Sequence, residues 1–316
     1  MPRAHPCAAV LLAALAVAGC GGGRSAPSAT PRAAGAPLAA AGRPNPCVGA
    51  PHDLAAPGPY TVRRAAGPLA RHSAVAPGPR RIDATVWAPA APPRGCRYPL
   101  ILFSHGHNGS PASCSTLCTH LASHGFVVLA PTHPDRRTRR TAQGPERVED
   151  LLYVLDHLPA VWRRLAPRLA GRVDGRAIGV AGHSFGGRTA AELASQDDRV
   201  KALMTMAGGA DGASTALIRA PTLMVAGGAD TVDPARLSQA SYRALPRATP
   251  RALLVVAHAG HGAFIDGCAA AGLCPVMRRT AAAFFITSLA HRPGADAPLD
   301  PARVHDPGLD LTSAGS

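Results

Sequence analysis

Hydrophobic positions in this chain gather into short unbroken runs separated by polar, glycine-rich loops. Residues 98–104, 125–131, 177–181, 200–207, 222–226 and 252–257 are each almost wholly apolar. Runs of this length, without polar alternation, predict strands covered on both faces. Residues 81–89 differ. Ile82, Ala84, Val86 and Ala88 alternate with other residues there, the pattern of a half-buried outer strand, and residues 60–65 read as a second outer strand. Between the runs lie helical patterns. Residues 113–123 read as a helix. Residues 146–158 place Val148, Leu151, Leu152, Leu155 and Leu158 at helical spacing, and Pro159 bends or breaks that helix. Asp233-Pro234 is a helix start signal, with an acidic cap and proline at the first position. Residues 275–289 form the closing helix. Buried strands alternating with helices predict an α/β fold with a mostly parallel twisted sheet and helices on both faces. In such sheets chemistry sits beyond the carboxyl ends of the strands.

Gly182-His183-Ser184-Phe185-Gly186-Gly187 falls at one of those ends, between the 177–181 strand and a segment of helix-forming composition from Arg188 to Ala194. This is the context of a G-x-S-x-G nucleophile elbow. A serine held in a strained turn needs neighbours without Cβ, so that strand and helix can approach. The helix N-terminus beneath it favours developing negative charge. A glycine-rich βα turn with an incidental serine would read the same way, so the rest of the chain must supply a base, an acid and an oxyanion site. A serine is a poor nucleophile until a base takes its proton, and a carboxylate must hold that base in the correct tautomer. The expected chain order is serine, acid, histidine. Asp230, which follows the 222–226 strand, is the candidate acid. Asp233 is a rival whose position before Pro234 suits helix capping, and Asp211 is a third possibility. His261, between Gly260 and Gly262, is the candidate base; His258 is nearer the strand end, where packing or hydrogen bonding is the simpler role. His105, His133 and His183 occupy neighbouring loops as supporting residues. The oxyanion donors expected are the backbone N–H groups of Phe185 and of His107, which follows the 98–104 strand.

The first twenty residues change the setting. Arg3, an apolar core from Ala8 to Ala18 and Val17-Ala18-Gly19-Cys20 read as an export signal whose Cys20 becomes a lipidated N-terminus; the plainer alternative is cleavage of a secretory signal nearby. Residues 21–46, rich in Gly, Ala, Pro and Ser, read as a flexible tether, and residues 291–316 as a loosely ordered tail. The formal charge is +14, almost all from arginine, with Lys201 the single lysine. Only 4% of residues are aromatic, and no basic run is interleaved with aromatics, which argues against nucleic-acid binding. Arg136, Arg137, Arg139 and Arg140 read as a solvated loop. Of eight cysteines, Cys7 leaves with the signal and Cys20 takes lipid. The remaining six imply disulfides in an exported chain, with fifteen pairings open. Short loops suggest Cys114–Cys118 and Cys268–Cys274, leaving Cys47–Cys96. Zinc binding would need ligand groupings that Cys114-x-x-x-Cys118 alone does not provide. No cofactor or metal is implied, and a monomer is expected.

Ser104-His105-Gly106, the segment 121–128 (Leu-Ala-Ser-His-Gly-Phe-Val-Val) and Gly182 through Gly187 together resemble the serine α/β-hydrolases. The resemblance is closest to the group holding dienelactone-hydrolase-like lipoproteins and platelet-activating-factor acetylhydrolase. Trp87-Ala88-Pro89 and residues 154–158 add to it. Bacterial cutinases and polyester hydrolases are similar in 125–128, in Pro221-Thr222-Leu223 through Asp230-Thr231, and in Gly260-His261. The resemblance implies an α/β-hydrolase domain over residues 47–290. It implies Ser184, Asp230 and His261 as triad and His107 and Phe185 as oxyanion donors. Dienelactone hydrolases use cysteine where this chain has Ser184, so what carries over is general carboxylic-ester hydrolysis, on a small or polymeric ester. A transacylase or perhydrolase on the same fold, or a cell-envelope binding module without turnover, are the alternatives. Only about fourteen residues separate Ala207 from Thr222, too few for a lid domain, so an open, shallow site is expected.

Overall fold

The apolar runs become a single nine-stranded sheet. In chain order its strands and the surrounding elements of the computed structural model are β1 (Val62–Gly67), a small hairpin of β2 (Ala70–His72) and β3 (Pro79–Arg81), β4 (Ala84–Pro89), β5 (Tyr98–Ser104), α1 (Ser115–Ser123), β6 (Val127–Pro131), α2 (Gln143–Asp156), α3 (Leu158–Leu165), β7 (Val173–His183), α4 (Phe185–Gln196), β8 (Val200–Met206), α5 (Gly212–Thr215), β9 (Thr222–Gly227), α6 (Ala235–Ala244), β10 (Arg251–Val256), α7 (Cys274–Phe285) and β11 (Leu309–Ala314). The structure describes Leu38, residues 42–49 and residues 53–314, apart from 74, 76, 77, 92, 136, 137 and 139. The expected leader with Cys20, most of the tether and Arg136, Arg137 and Arg139 lie outside the described residues, as does the side chain of Arg140.

Strand order is β1-β4-β6-β5-β7-β8-β9-β10-β11. The six strands from β6 to β10 run parallel. β4 pairs antiparallel with both β1 and β6, and β11 closes the other edge antiparallel to β10. Residue alternation sorts the core into two layers. Ile101, Phe103, Val128, Met204 and Val225 face α1 and α7, while Leu100, Leu102, Val127, Leu129 and Met224 face α2, α3 and α4. Each such side chain contributes about 1.5–3 kcal/mol on burial, which is why unbroken apolar runs occupy the centre.

Several expectations are corrected. β4 is buried throughout, because Trp87 packs into the α1–α7 layer while Val86 and Ala88 pack into the other. Pro159 does more than end a helix: α2 stops at Asp156, and α3 begins with Pro159 in its first turn, where its missing N–H costs no hydrogen bond. The segment after 290 is not a loose tail. β11 pairs with all six residues of β10, and Leu311 joins the α1–α7 core. At the other end, residues expected in the tether dock on the domain, with Asn45 N donating to Ala290 O at 2.9 Å and its side chain to Arg97 O at 3.0 Å.

Two expected disulfides form, Cys47–Cys96 and Cys268–Cys274. The third does not: Cys114 and Cys118 are free buried thiols with sulfurs 3.4 Å apart. Cys114 caps the start of α1 and Cys118 lies one turn on, and the two thiols are chained by hydrogen bonds instead, Cys118 donating to Cys114 and Cys114 to Pro111 O at 3.2 Å. Burial pushes the Cys118 thiol well up. Cys47–Cys96 spans 49 residues and Cys268–Cys274 only 6. On chain-entropy grounds the first is worth about 4 kcal/mol and the second about 2 kcal/mol. The Cys47→Ser, Cys96→Ser double variant should therefore lower the melting temperature more than the Cys268→Ser, Cys274→Ser double variant, as read by calorimetry.

Candidate active site

β7 delivers Ser184 to the carboxyl edge of the sheet, and α4 starts at the next residue. Ser184 sits at φ +55°, ψ −125°, a strained conformation for a residue with a Cβ. The flanking glycines make it possible. A Cβ on Gly182 would collide with the Gly186 carbonyl, and one on Gly186 with the carbonyls of Ser104 and His105. Strand, turn and helix are thus in backbone contact, which fixes the serine at the tip.

Two later loops meet that tip. His261 Nε2 lies 2.8 Å from Ser184 Oγ, and His261 Nδ1 lies 2.8 Å from Asp230 Oδ2. Because a carboxylate only accepts, Nδ1 carries the hydrogen and Nε2 presents its lone pair to the serine hydroxyl. Asp230 is held in turn: its Oδ1 accepts from the backbone N–H of Val232 at 2.8 Å and of Asp233 at 2.9 Å. Burial works against ionisation of Asp230, but those backbone bonds and His261 outweigh it and hold its carboxyl below the usual range. The His261 side chain is 23% exposed and that of Asp230 fully buried, so the imidazole is reachable from solvent and its partner is not.

The rival residues are elsewhere employed. Asp211 caps α5, accepting from Ala213 N and Ser214 N. Asp233 does not cap α6, contrary to expectation. The helix begins one residue later, and the Asp233 carboxylate accepts instead from Gly209 N at 3.1 Å and from Arg188 at 2.6 Å. His258 is exposed at the strand end rather than packed. His183 lies under His261: its Nε2–H donates to the His261 carbonyl at 2.7 Å, and burial lowers its pKa. The oxyanion candidates flank the tip. Phe185, the first residue of α4, has an N–H without an intrahelical acceptor. The His107 and Phe185 rings stand edge to face, 6.0 Å apart.

Beneath the site is a buried polar layer that composition and spacing do not announce. His133 Nδ1 donates to Asp150 Oδ2 at 2.8 Å, and its Nε2 accepts from Ser104 Oγ at 3.0 Å. This has the connectivity of the surface line, yet Ser104 and Asp150 are fully buried, so no substrate reaches it. Asp150 also accepts from Arg71 and Arg80, and Arg71 pairs with Glu146. Burial opposes ionisation of Asp150, but His133 and Arg80 outweigh it and bring its carboxyl down to about 2. Arg147 and Asp135 form a second buried pair. The signal was present on α2, where Glu146, Arg147 and Asp150 interrupt an amphipathic pattern at i, i+1 and i+4. Charges there look like a solvated face until β2, β3 and the 105–108 loop are seen to cover them. Among the described residues no three His, Cys, Asp or Glu side chains are grouped to hold a metal ion.

Four of the buried histidines predict a loss of stability in acid. Burial lowers His105 to about 3 and His120 to about 4, and lowers His133 and His183 as well. In the unfolded chain these rings protonate near 6.5, so below that pH the unfolded state binds more protons. The stability is fully present above pH 6.5 and is lost as pH falls toward the folded values, by about 1 kcal/mol per unit for His105 and for His120. Asp135, Asp150 and Asp230, all lowered, add a further loss below their ordinary 3.8. Melting temperature should be level above about pH 7 and fall steadily from about pH 6 to about pH 4; a level curve over that window would contradict the burial of these rings.

A mostly parallel sheet with a serine on a strained strand-to-helix turn, and an acid and a histidine arriving from later strand ends, is the α/β-hydrolase fold. Between β8 and β9 the chain makes only the one-turn helix α5, so no lid domain is inserted there. The family model of PET hydrolase-like proteins (PETase) matches residues 44–279, and the chain belongs to that family. It is similar to cutinase 1 of Thermobifida cellulosilytica, 31% identical over 166 residues that cover 52% of this chain and 60% of the relative. Cutinase from Thermobifida fusca (strain YX) is likewise 31% identical over 166 residues, covering 52% of each. Bis(hydroxyethyl) terephthalate hydrolase of Streptomyces coelicolor is 30% identical over 179 residues, 56% of this chain and 54% of the relative. The chain spans between about half and three fifths of the length of these curated relatives.

Proposed function

We propose that the protein is a serine carboxylic-ester hydrolase working through Ser184, His261 and Asp230. The observation that carries this reading is the continuous line Asp230–His261–Ser184, with both hydrogen bonds at 2.8 Å, on a strained turn. Ser184 Oγ attacks the ester carbonyl while His261 Nε2 takes its proton. The tetrahedral oxyanion accepts hydrogen bonds from the N–H groups of Phe185 and His107. His261 then protonates the leaving alkoxide, leaving an acyl-enzyme. Water, deprotonated by the same imidazole, attacks that ester and releases the acid and Ser184. Asp230 stabilises the imidazolium at both stages.

The substrate class proposed is an ester presented on an apolar or polymeric surface. Support comes from the open 207–222 segment, from Val232, 67% exposed two residues after Asp230, and from the His107–Phe185 ring pair at the same rim. The names of the relatives, cutinases and a terephthalate ester hydrolase, point the same way. Export with a lipid at Cys20 is part of the proposal and rests on the leader; two disulfides suit an oxidising compartment. No helix among the described residues is long and apolar enough to cross a membrane.

The test is turnover of a p-nitrophenyl ester chain-length series, bis(hydroxyethyl) terephthalate and a polyester film, with products analysed in the presence of competing alcohols and peroxide. Free acid as the main product is expected. Predominant ester or peracid would reassign the protein as an acyl transferase, and no turnover of any ester would overturn the reading.

A further inference from the structure

The loop between β5 and α1 must present the His107 N–H to a developing oxyanion. Nothing about a glycine-rich loop fixes such a direction by itself. The peptide joining Gly106 to His107 is trans, so its C=O and N–H point opposite ways in one rigid plane. Whatever holds the Gly106 oxygen therefore aims the His107 N–H. That backbone lies against the nucleophile turn: a Cβ built on Gly106 would stand 3.6 Å from Ser184 Cβ.

Three donors hold the Gly106 oxygen. They are Gly109 N at 3.0 Å, His105 Nδ1 at 2.7 Å and Arg147 Nη2 at 3.0 Å. His105 is in turn oriented by the His133 N–H, which donates to its Nε2 at 3.0 Å. Arg147 reaches further than the others. Its Nη1 donates to the His105 carbonyl at 2.6 Å, so one planar guanidinium grips two consecutive peptides. The same group pairs with Asp135 at 2.9 and 2.5 Å, and Asp135 Oδ2 accepts the Asn108 N–H at 3.0 Å. Asn108 sits at φ +54°, a left-handed conformation that an unanchored asparagine adopts only in part. The guanidinium carbon also lies 4.7 Å from the centre of the Phe185 ring, beside the second donor. Arg147 is fully buried. A buried ion pair is often no better for stability than apolar residues of the same volume, so its presence here calls for a reason other than stability.

We propose that Arg147 is a positioning residue for the oxyanion site, clamping the 105–108 loop so that the Gly106–His107 peptide presents its N–H to the transition state. This rests on the proposed role of Ser184. The cation on the carbonyl side also polarises that amide and strengthens its N–H as a donor. Asp135 sets the fork and ties down Asn108. The clamp acts when charge develops on the substrate oxygen, so losing it lowers kcat rather than substrate binding.

The test compares wild type with Arg147→Lys and Asp135→Asn on p-nitrophenyl acetate, with phenylboronic acid as a tetrahedral mimic of the transition state. Lysine keeps the charge facing Asp135, but a single ammonium cannot span both carbonyls. In R147K, kcat should fall about 10- to 100-fold with KM within about 3-fold, and the boronate inhibition constant should rise in step with the loss in kcat/KM. D135N, which keeps the arginine but frees Asn108, should show the same split to a smaller extent, and it serves if R147K does not fold. An unchanged kcat in whichever variants fold, or a lower kcat/KM with unchanged boronate affinity, would overturn the positioning role. A wild type that neither turns over ester nor reacts at Ser184 would instead overturn the reading of Ser184 beneath it.

Discussion

Replacing Ser184 with alanine should reduce p-nitrophenyl ester hydrolysis by about 10⁵- to 10⁶-fold while leaving the protein folded. The chemical loss is large because the attacking oxygen is gone and water must take its place without the fixed geometry. The structural loss is small for identifiable reasons. Alanine carries a Cβ like serine, so the strain at φ +55° is unchanged. The hydroxyl donates only to His261, whose side chain is 23% exposed and can bond water instead. A melting temperature close to wild type beside a near-total loss of rate is the expected pair of results. The neighbouring glycines behave oppositely. A methyl group on Gly186 would meet the carbonyls of Ser104 and His105, so failure there would be failure to fold.

Asp230→Asn should cost about 10⁴ in kcat, and Asp233→Asn less than about 10-fold. Asparagine at 230 keeps an oxygen for the N–H groups of Val232 and Asp233, which turns its NH₂ toward His261. The imidazole must then accept at Nδ1 and carry its hydrogen on Nε2, facing Ser184 as a donor that can take no proton. Asp233 has different partners, Arg188 and Gly209 N, and neither touches substrate in the proposed chemistry. Its loss should appear mainly as a lower melting temperature. Steady-state kinetics of the two single variants separate the rivals. A D233N defect larger than that of D230N would move the acid.

How much of this was legible in the sequence follows from range. The elbow was readable because its physics is local: a strand, Ser184 and the glycines around it lie in one continuous segment. Asp230 and His261 were readable because parallel sheets place loops after strands at one edge, so chain order stands in for distance. The 309–314 strand is hidden in the sequence because its signal is weak alone. Leu309 and Leu311 make a strand only once β10 offers an edge and Leu311 finds the α1–α7 core. Cys114 and Cys118 are close in sequence and in space yet remain thiols, because spacing alone does not say whether neighbouring sulfurs are bonded. The place of Arg147 is hidden in the sequence for a related reason. A charge on an amphipathic helix is a solvated charge by default, and only the fold of the 105–108 loop over α2 makes it a clamp. Tertiary burial of charge is the part of a site that local pattern does not carry.

The most direct measurement is covalent. A fluorophosphonate reacts with a serine only when a neighbouring base has activated it. Intact-mass and peptide analysis should find one phosphonyl group per chain, on Ser184, with labelling slowed by orders of magnitude in His261→Ala. An adduct on another residue, no adduct on a preparation that hydrolyses esters, or labelling indifferent to the loss of His261 would contradict the account.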